Sequence, residues 1–324
     1  MKKIAFITSG GDAPGMNACI RAIVKYCLNN QIIPFAVYDG FQGMIEERGS
    51  VLQFSDVDNI IQRGGTIIGT ARSAAFITTE GRVKAIQFLQ KEQVDGLIVI
   101  GGDGSFTGAA ILGKEMNIPI IGIPGTIDND LIGTDYTIGY DTALNTVIDA
   151  VDKIRDTASS HHRIFFIEVM GRNSGFIAMN AAIASGAESV LIPEEITSIP
   201  DLVESIRSNN KGKRSSIILV AEGDDAGGSF EILNQVKPFL PEYNLRHTVL
   251  GHIQRGGNPS ANDRILATKM GVEAVKALLE GKSNLMIGSV NQHIVHVPIE
   301  KTIEKSDKIN HQDLDLVAQL RTNS

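Results

Sequence analysis

Four stretches of this chain run from a hydrophobic segment straight into a loop of glycine and aspartate. Residues 4–8 lead into Ser9-Gly10-Gly11-Asp12, and 97–100 into Gly101-Gly102-Asp103-Gly104-Ser105. Residues 118–123 lead into Pro124-Gly125-Thr126-Ile127-Asp128-Asn129-Asp130, and 163–169 into Met170-Gly171-Arg172. A stretch of helical periodicity follows each, and such alternation is met by a parallel sheet with right-handed crossovers. The expected class is α/β. In open parallel sheets ligands bind beyond the carboxyl ends of the strands. Glycine lets backbone N–H groups close around phosphate oxygens, and aspartate holds a divalent cation or takes a proton. Four such loops together point to one polyphosphate-handling site.

The spacing predicts helices over 18–28, 105–116, 142–155, 176–185, 201–209 and 261–280. Ile20, Ile23, Val24 and Cys27 share an apolar face in the first, and Leu144, Val147, Ile148 and Val151 in the third. Pro14 suits a first helical turn, so the first helix is expected to start at the Gly11 loop. Arg21 and Lys25 lie on another face of it. With 324 residues the chain exceeds the usual single core, and two domains are expected. No linker or repeat marks the boundary, but the strand–loop–helix pattern restarts near Tyr140.

Each loop carries its own chemistry. In Gly101–Ser105, Ser105 is expected to cap the following helix, so that first-turn N–H groups face a nucleotide's phosphates and Asp103 reaches its magnesium. The bland alternative is a tight turn with glycines serving geometry alone. Asp128 and Asp130 stand two apart, on one side if the segment is extended. One would act as general base while the other supports a metal or orients a neighbour; an Asx-rich turn is the alternative. Arg172 suits a phosphate clamp, and His252 and Arg255, with Arg246 upstream, suit a phosphate monoester. Gly281-Lys282-Ser283 mimics the tail of a Walker loop, but Lys276 occupies the place of its first glycine, so a helix C-cap is expected. No protein-kinase catalytic loop is present.

Composition narrows the classes further. Thirty basic against 37 acidic residues leave a net charge of −7, which argues against general nucleic-acid or membrane-surface partners. The apolar run after Met1-Lys2-Lys3 is too short for a signal peptide and nothing approaches membrane-spanning length, so a soluble, cytoplasmic protein is expected. Cys19 and Cys27 lie about 12 Å apart along one helix, too far to bridge, and read as reduced core thiols. The seven histidines are scattered and pair with no cysteine for zinc; His161-His162 reads as solvated or structural.

Taken together, the loops resemble those of the bacterial ATP-dependent 6-phosphofructokinase family, collinearly over essentially the whole chain. The matching motifs are TSGGDAPGMN at 8–17, RGGT at 63–66, GGDGS at 101–105, PGTIDND at 124–130, GTDYTIG at 133–139, EVMGR at 168–172 and VLGHIQRGG at 249–257. The resemblance implies transfer of the ATP γ-phosphoryl group to the 1-hydroxyl of fructose 6-phosphate, a step of glycolysis, with Mg2+ as cofactor. It makes Asp128 the base, places Asp103 on magnesium, and gives Thr126, Arg172, Arg72 and Gly11 to the transferring group. Gly11, Arg72, Ser73, Gly102, Asp103, Gly104, Ser105 and Gly108 would hold ATP. Thr126, Ile127, Asp128, Met170, Gly171, Arg172, Glu222, His252, Ile253, Gln254 and Arg255 would hold the sugar phosphate, with Arg163 and Arg246 from a neighbouring subunit.

By the same resemblance the chain forms two three-layer α/β domains with mainly parallel sheets and the active site in the interdomain cleft. Residues 1–139 plus 254–304 form the larger, ATP-binding domain, and 140–253 plus 305–324 the smaller, fructose 6-phosphate-binding domain. A homotetramer is implied, with an ADP or phosphoenolpyruvate effector site at Arg21, Lys25, Arg155, Gly186, Glu188, Lys211, Lys213, Arg214 and Ser215. Without the resemblance those cations read as solvated helix faces and a basic loop. The chain departs from the pattern where Phe54, Ser55 and Asn59 replace the usual Arg, Tyr and Asp of that pocket. Phe41, Ser73 and Ile77 depart around the adenine. Pyrophosphate-using relatives typically carry Asp at 104 and Lys at 125; both are glycine here, which favours ATP. A pyrophosphate-dependent enzyme and a non-catalytic sugar-phosphate sensor are the alternatives, and retention of Asp103, Asp128 and Arg172 argues against the sensor.

Overall fold

The computed structural model describes residues 1–161, 163–209, 215–304 and 309–320. The chain divides into two compact units. The first comprises Met1–Ile127, Leu131–Thr142 and Arg255–Ser306, and the second Asp128–Asp130, Ala143–Gln254 and Asp307–Ser324.

The first unit is built on strands β1 (Lys3–Thr8), β2 (Ile33–Val37), β3 (Gly49–Val51), β4 (Gly96–Gly101), β5 (Ile120–Thr126) and β6 (Ile138–Gly139), with β11 (Leu285–Val290) and β12 (His293–Pro298). The sheet order is β12-β11-β5-β4-β1-β2-β3, and β6 pairs with β5. The pairs are parallel except β2–β3 and β11–β12 at the two edges. The central strands read Ile-Ala-Phe-Ile and Leu-Ile-Val-Ile without alternation because both faces are covered. Ala5, Ile7, Leu97 and Val99 join one core with Phe88 of α4 (Thr79–Lys91) and Phe106 and Leu112 of α5 (Asp103–Met116). The opposite face carries α1 (Met16–Asn29) and α10 (Ala261–Leu279), which pack on each other. Short helices α2 (Gly40–Ile45), α3 (Ala74–Ile77) and α11 (Ile299–Thr302) complete the unit.

The second unit has a four-stranded sheet of β7 (Arg163–Val169), β8 (Ser189–Leu191), β9 (Ser216–Ala221) and β10 (Asn244–Val249) in the order β10-β7-β9-β8, with all pairs parallel. Ile164, Phe166, Ile218 and Val220 face α8 (Ile199–Asn209) and α9 (Ser229–Val236) in one core. On β9 also packs α7 (Phe176–Ser185), which carries α12 (His311–Gln319) on its outside. Helix α6 (Tyr140–His161) begins in the first unit and continues through the second.

Several expectations need correction. Helix α1 starts at Met16, with Gly15 in the left-handed region at φ 112 as its cap, so Pro14 precedes the helix instead of opening it. Strand β5 does not stop at Ile123. Its pairing with β4 reaches Pro124, and β6 takes over at Gly125 and Thr126. Helix α6 is longer at both ends than 142–155, and Leu144 and Ile148 are only half buried. Gly281 closes α10 as expected. The N–H of Gly281 donates to Leu278 and that of Lys282 to Ala277, the double bond of a left-handed helix stop.

Cys19 and Cys27 are free and buried, and burial pushes the Cys27 thiol up to about 12 and Cys19 further. No helix among the described residues is long and apolar enough to cross a membrane.

Candidate active site

The carboxyl end of the first unit's sheet is a set of interlocked glycine loops. After β1, the Ser9 N–H donates to Ile100 at 3.0 Å, tying the loop to β4. The Thr8 hydroxyl donates to Gly69 at 2.6 Å, and Thr70 donates to Gly10 at 2.8 Å. Asn17 on α1 donates to Arg63 and Gly64 and accepts from Ile67, so residues 63–70 are strapped along the loop after β1. Gly64 allows this approach, because a Cβ there would lie 2.2 Å from the Gly257 carbonyl. Arg255 donates to the Asp12 carbonyl at 3.1 Å, joining 255–257 to the same cluster.

The β4 loop sits beside them. A Cβ on Gly101 would meet Ser9 O at 2.7 Å, and one on Gly102 would stand 3.5 Å from the Thr126 Cβ. Gly10, Gly101, Gly102, Ser105 and Thr126 are thus neighbours at the ends of β1, β4 and β5. Helix α5 begins at Asp103 with Gly102 as its cap and no side-chain cap bond. Ser105 is therefore not the cap that the sequence predicts; it is a buried residue of the first turn. Asp103 and Gly104 are exposed, and a Cβ at Gly104 would touch nothing within 4 Å. Arg72 is exposed. Ser73 caps α3 by accepting from Phe76 N at 3.1 Å and donates to Gln42. Phe41 and Phe76 stack at 4.1 Å, both against Gly108, while Ile77 is 78% exposed.

Asp128 is buried and Asp130 half buried. Between them Asn129 takes φ 53, so the segment turns and is not extended. The expectation that an i, i+2 spacing puts both carboxylates on one side fails for that reason.

In the second unit the groups gather at the carboxyl end of β7. Gly171 at φ 147 and Arg172 at φ 55 form a tight turn, and both N–H groups donate to Glu222 Oε1, at 3.3 and 2.8 Å. Glu222 therefore anchors this loop. Gln254 is fully buried, accepts from Met170 N at 3.2 Å and donates to the Gly251 carbonyl at 3.0 Å, so its amide sets the loop carrying exposed His252 and Ile253. Arg163 opens β7, and Arg246 is the third residue of β10, opposite Phe165. At about 3.3 Å per residue, Arg163 lies roughly 20 Å from Val169 at the carboxyl end of β7. The Arg163 Nε is buried without a hydrogen-bond partner among the described residues.

The effector candidates fall in two groups. On α1, Lys25 lies 3.3 Å from Asp58 and 5.9 Å from the Phe54 ring, and Arg21 is half buried. In the second unit Arg155 donates to the Ser185 and Gly186 carbonyls and lies 3.7 Å from Glu188, which accepts from Ile217 N. Ser215 is 3.3 Å from Ser159. Lys211, Lys213 and Arg214 lie outside the described residues, as does His162; His161 is exposed.

The Phosphofructokinase family model matches residues 3–278. The chain belongs to the phosphofructokinase family. It is 52% identical over 315 residues to "ATP-dependent 6-phosphofructokinase 2" of Bacteroides thetaiotaomicron, covering 97% of this chain and 96% of that one. It is 50% identical over 317 residues to "ATP-dependent 6-phosphofructokinase 1" of Thermus thermophilus, covering 98% of each. A solved phosphofructokinase of Saccharomyces cerevisiae shares 37% identity at TM-score 0.88; it covers 94% of this chain, which spans 45% of the yeast chain. Pyrophosphate-dependent phosphofructokinase of Marinobacter aquaeolei superposes at TM-score 0.86 with 20% identity, a likeness of fold alone.

Sequence reasoning missed residues whose side chains tie these segments together by hydrogen bonds. Asn17 and Asp263 are the main ones. Asn17 lies inside a matched motif, and its strapping role had no local signal. Asp263 looks like any acidic residue of a first helical turn.

Proposed function

We propose that this chain transfers the γ-phosphoryl group of ATP to the 1-hydroxyl of fructose 6-phosphate, giving fructose 1,6-bisphosphate in glycolysis. The observation that carries the reading is about half identity, over nearly the whole chain, to relatives named ATP-dependent 6-phosphofructokinase. Phosphoryl transfer asks a protein for alignment and for neutralised oxygen charge more than for covalent help.

On this reading the Gly11 backbone, Arg72, Ser73, the Gly102–Ser105 segment and Gly108 hold the nucleotide. The first turn of α5 directs N–H groups and the positive end of its dipole at phosphate. The exposed carboxylate of Asp103 offers a hard oxygen ligand beside the open space at Gly104. No group of three or more His, Cys, Asp or Glu that could hold a metal forms among the described residues, and magnesium shared with nucleotide phosphates needs no such cage. Bound there, Mg2+ spreads the charge that builds on the β and γ oxygens.

Asp128 takes the proton of the 1-hydroxyl as it attacks. Thr126 and Arg172 stabilise the group in transit, and Met170, Gly171, Glu222, His252, Ile253, Gln254 and Arg255 hold the sugar phosphate directly or through the loops they set. Arg163 and Arg246 serve the site of a neighbouring subunit in a homotetramer, as the family resemblance implies; in its own chain Arg163 stands at the far end of β7 from Arg172. Phe54, Ser55 and Asn59 in place of the usual Arg, Tyr and Asp weaken an ADP or phosphoenolpyruvate site beside Lys25, which meets Asp58 in an exposed ion pair and lies over Phe54.

The test is a coupled assay of fructose 6-phosphate with Mg-ATP and with Mg-pyrophosphate in parallel. Turnover with ATP alone supports the reading. Turnover with pyrophosphate alone, or with neither donor, refutes it.

A further inference from the structure

Asp263 sits in the first turn of α10 and is 1% exposed. A buried carboxylate is costly unless hydrogen bonds satisfy it, and here they come from one place. Its Oδ1 accepts the Gly139 N–H at 2.8 Å, and its Oδ2 accepts the Thr142 N–H at 2.9 Å together with a short bond from the Thr142 hydroxyl. The Thr142 hydroxyl in turn accepts from Ser260 N at 2.9 Å, and the Ser260 hydroxyl accepts from Asp263 N at 3.2 Å. One carboxylate thus occupies the amino ends of two helices, α10 in its own turn and α6 across space. It stands next to a third, since a Cβ on Gly15 would lie 3.5 Å from the Asp263 Cβ.

What this carboxylate grips is β6 and the turn after it. Strand β6 pairs Ile138 with Gly125 and Gly139 with Thr126, and the Thr137 hydroxyl donates to the Thr126 carbonyl at 2.6 Å. β6 is two residues long and lies off the main path of the sheet. Its own ladder is too short to fix its place, and the anchor at Gly139 and Thr142 supplies the rest. Thr126 is the last residue of β5, and Asp128 follows two residues on.

We propose that Asp263 is a positioning residue for phosphoryl transfer, holding β6 and the first turn of α6 so that the end of β5 presents Thr126 in the reactive register. The inference rests on the assignment of Thr126 to the transferring group. An asparagine at 263 keeps the shape but turns one acceptor into an NH2 facing a donor. The sheet core does not depend on β6, so the fold persists while the end of β5 loosens.

The experiment compares kcat, KM for both substrates and the urea midpoint of wild type, Asp263→Asn, Thr142→Val and Thr142→Ser. A misplacement near 1 Å costs about a hundredfold in rate. The expected result is a kcat for Asp263→Asn lower by about ten- to a hundredfold, with each KM changed less than about threefold. Thr142→Val removes one of the three bonds to the carboxylate and the bond from Ser260 N and falls between, and Thr142→Ser recovers the rate relative to Thr142→Val. An unchanged kcat per folded molecule, or a raised KM at wild-type kcat, overturns the proposal. If Asp263→Asn fails to fold, folded Thr142→Val decides: wild-type kcat overturns the proposal and a lowered kcat supports it. Wild-type protein inactive with Mg-ATP and fructose 6-phosphate refutes the assigned reaction instead.

Discussion

Replacing Gly11 by alanine is expected to weaken use of fructose 6-phosphate more than use of ATP, although Gly11 lies in the loop proposed to hold ATP. Its Cβ would lie 2.4 Å from Arg255 Nη1, 3.0 Å from Cζ and 3.3 Å from Nη2. Contact between such atoms needs about 3.5 Å, so the guanidinium must withdraw by roughly 1 Å. It is the far end of a flexible side chain and yields more cheaply than backbone. Its bond to the Asp12 carbonyl, now 3.1 Å, then passes out of hydrogen-bond range. A bond from a charged donor contributes about 1.5–3 kcal/mol, which corresponds to roughly ten- to a hundredfold in affinity. Gly11 is exposed and outside the left-handed region, so neither core nor backbone strain adds to this.

The assay is steady-state KM for each substrate with the other saturating, in wild type, Gly11→Ala, Arg255→Ala and the double variant. The KM for fructose 6-phosphate should rise by about ten- to a hundredfold in Gly11→Ala, and the KM for ATP by less. In the Arg255→Ala background the glycine change should add nothing, because the group it displaces is gone. A full additional penalty in the double variant, or an unchanged KM for the sugar phosphate, would refute the reasoning.

Gly223→Ala should cut kcat/KM by about a hundredfold, since its Cβ would fall 1.9 Å from the Arg172 carbonyl oxygen and backbone must move; wild-type kinetics would separate Arg172 from the reaction. Burial pushes the Asp224 carboxyl above its ordinary value, and bonds from Ala226 N and the Thr197 hydroxyl pull it partly back. The folded chain therefore binds this proton at higher pH than the unfolded chain, and stability from this group grows as pH falls toward 3.8. Urea midpoints of Asp224→Asn should gain less than wild type on acidification through that window; an equal gain would contradict the assignment. Fructose 6-phosphate curves should be unmoved by ADP or phosphoenolpyruvate, and a marked shift by either would show that an effector site survives the changes at Phe54, Ser55 and Asn59.

The strand ends were legible because each hydrophobic run gives way to a glycine-containing loop, and β1, β4 and β7 end at or within a residue of where the pattern changes. Helix faces such as Ile20, Ile23, Val24 and Cys27 were legible because tertiary packing and periodicity agree. What the chain alone hides is long-range. The β11–β12 hairpin joins the sheet through β5, more than a hundred residues away, β6 pairs about a dozen residues back, and β5 runs through Pro124 only because neighbours are there to pair with it. The turn at Asn129 was hidden too, since asparagine permits the left-handed region without announcing it. Ser105 looked like a cap because serine usually is one, but Gly102 already opens α5 two residues inside the motif.

Asp128→Asn tests the central claim most directly, because asparagine keeps the volume and removes only the basic oxygen. Single-turnover phosphorylation of fructose 6-phosphate with Mg-ATP should slow by about a hundred- to ten-thousandfold. Equilibrium binding of fructose 6-phosphate should change by less than about threefold. A near-normal rate in the folded variant would contradict a role for Asp128 as base.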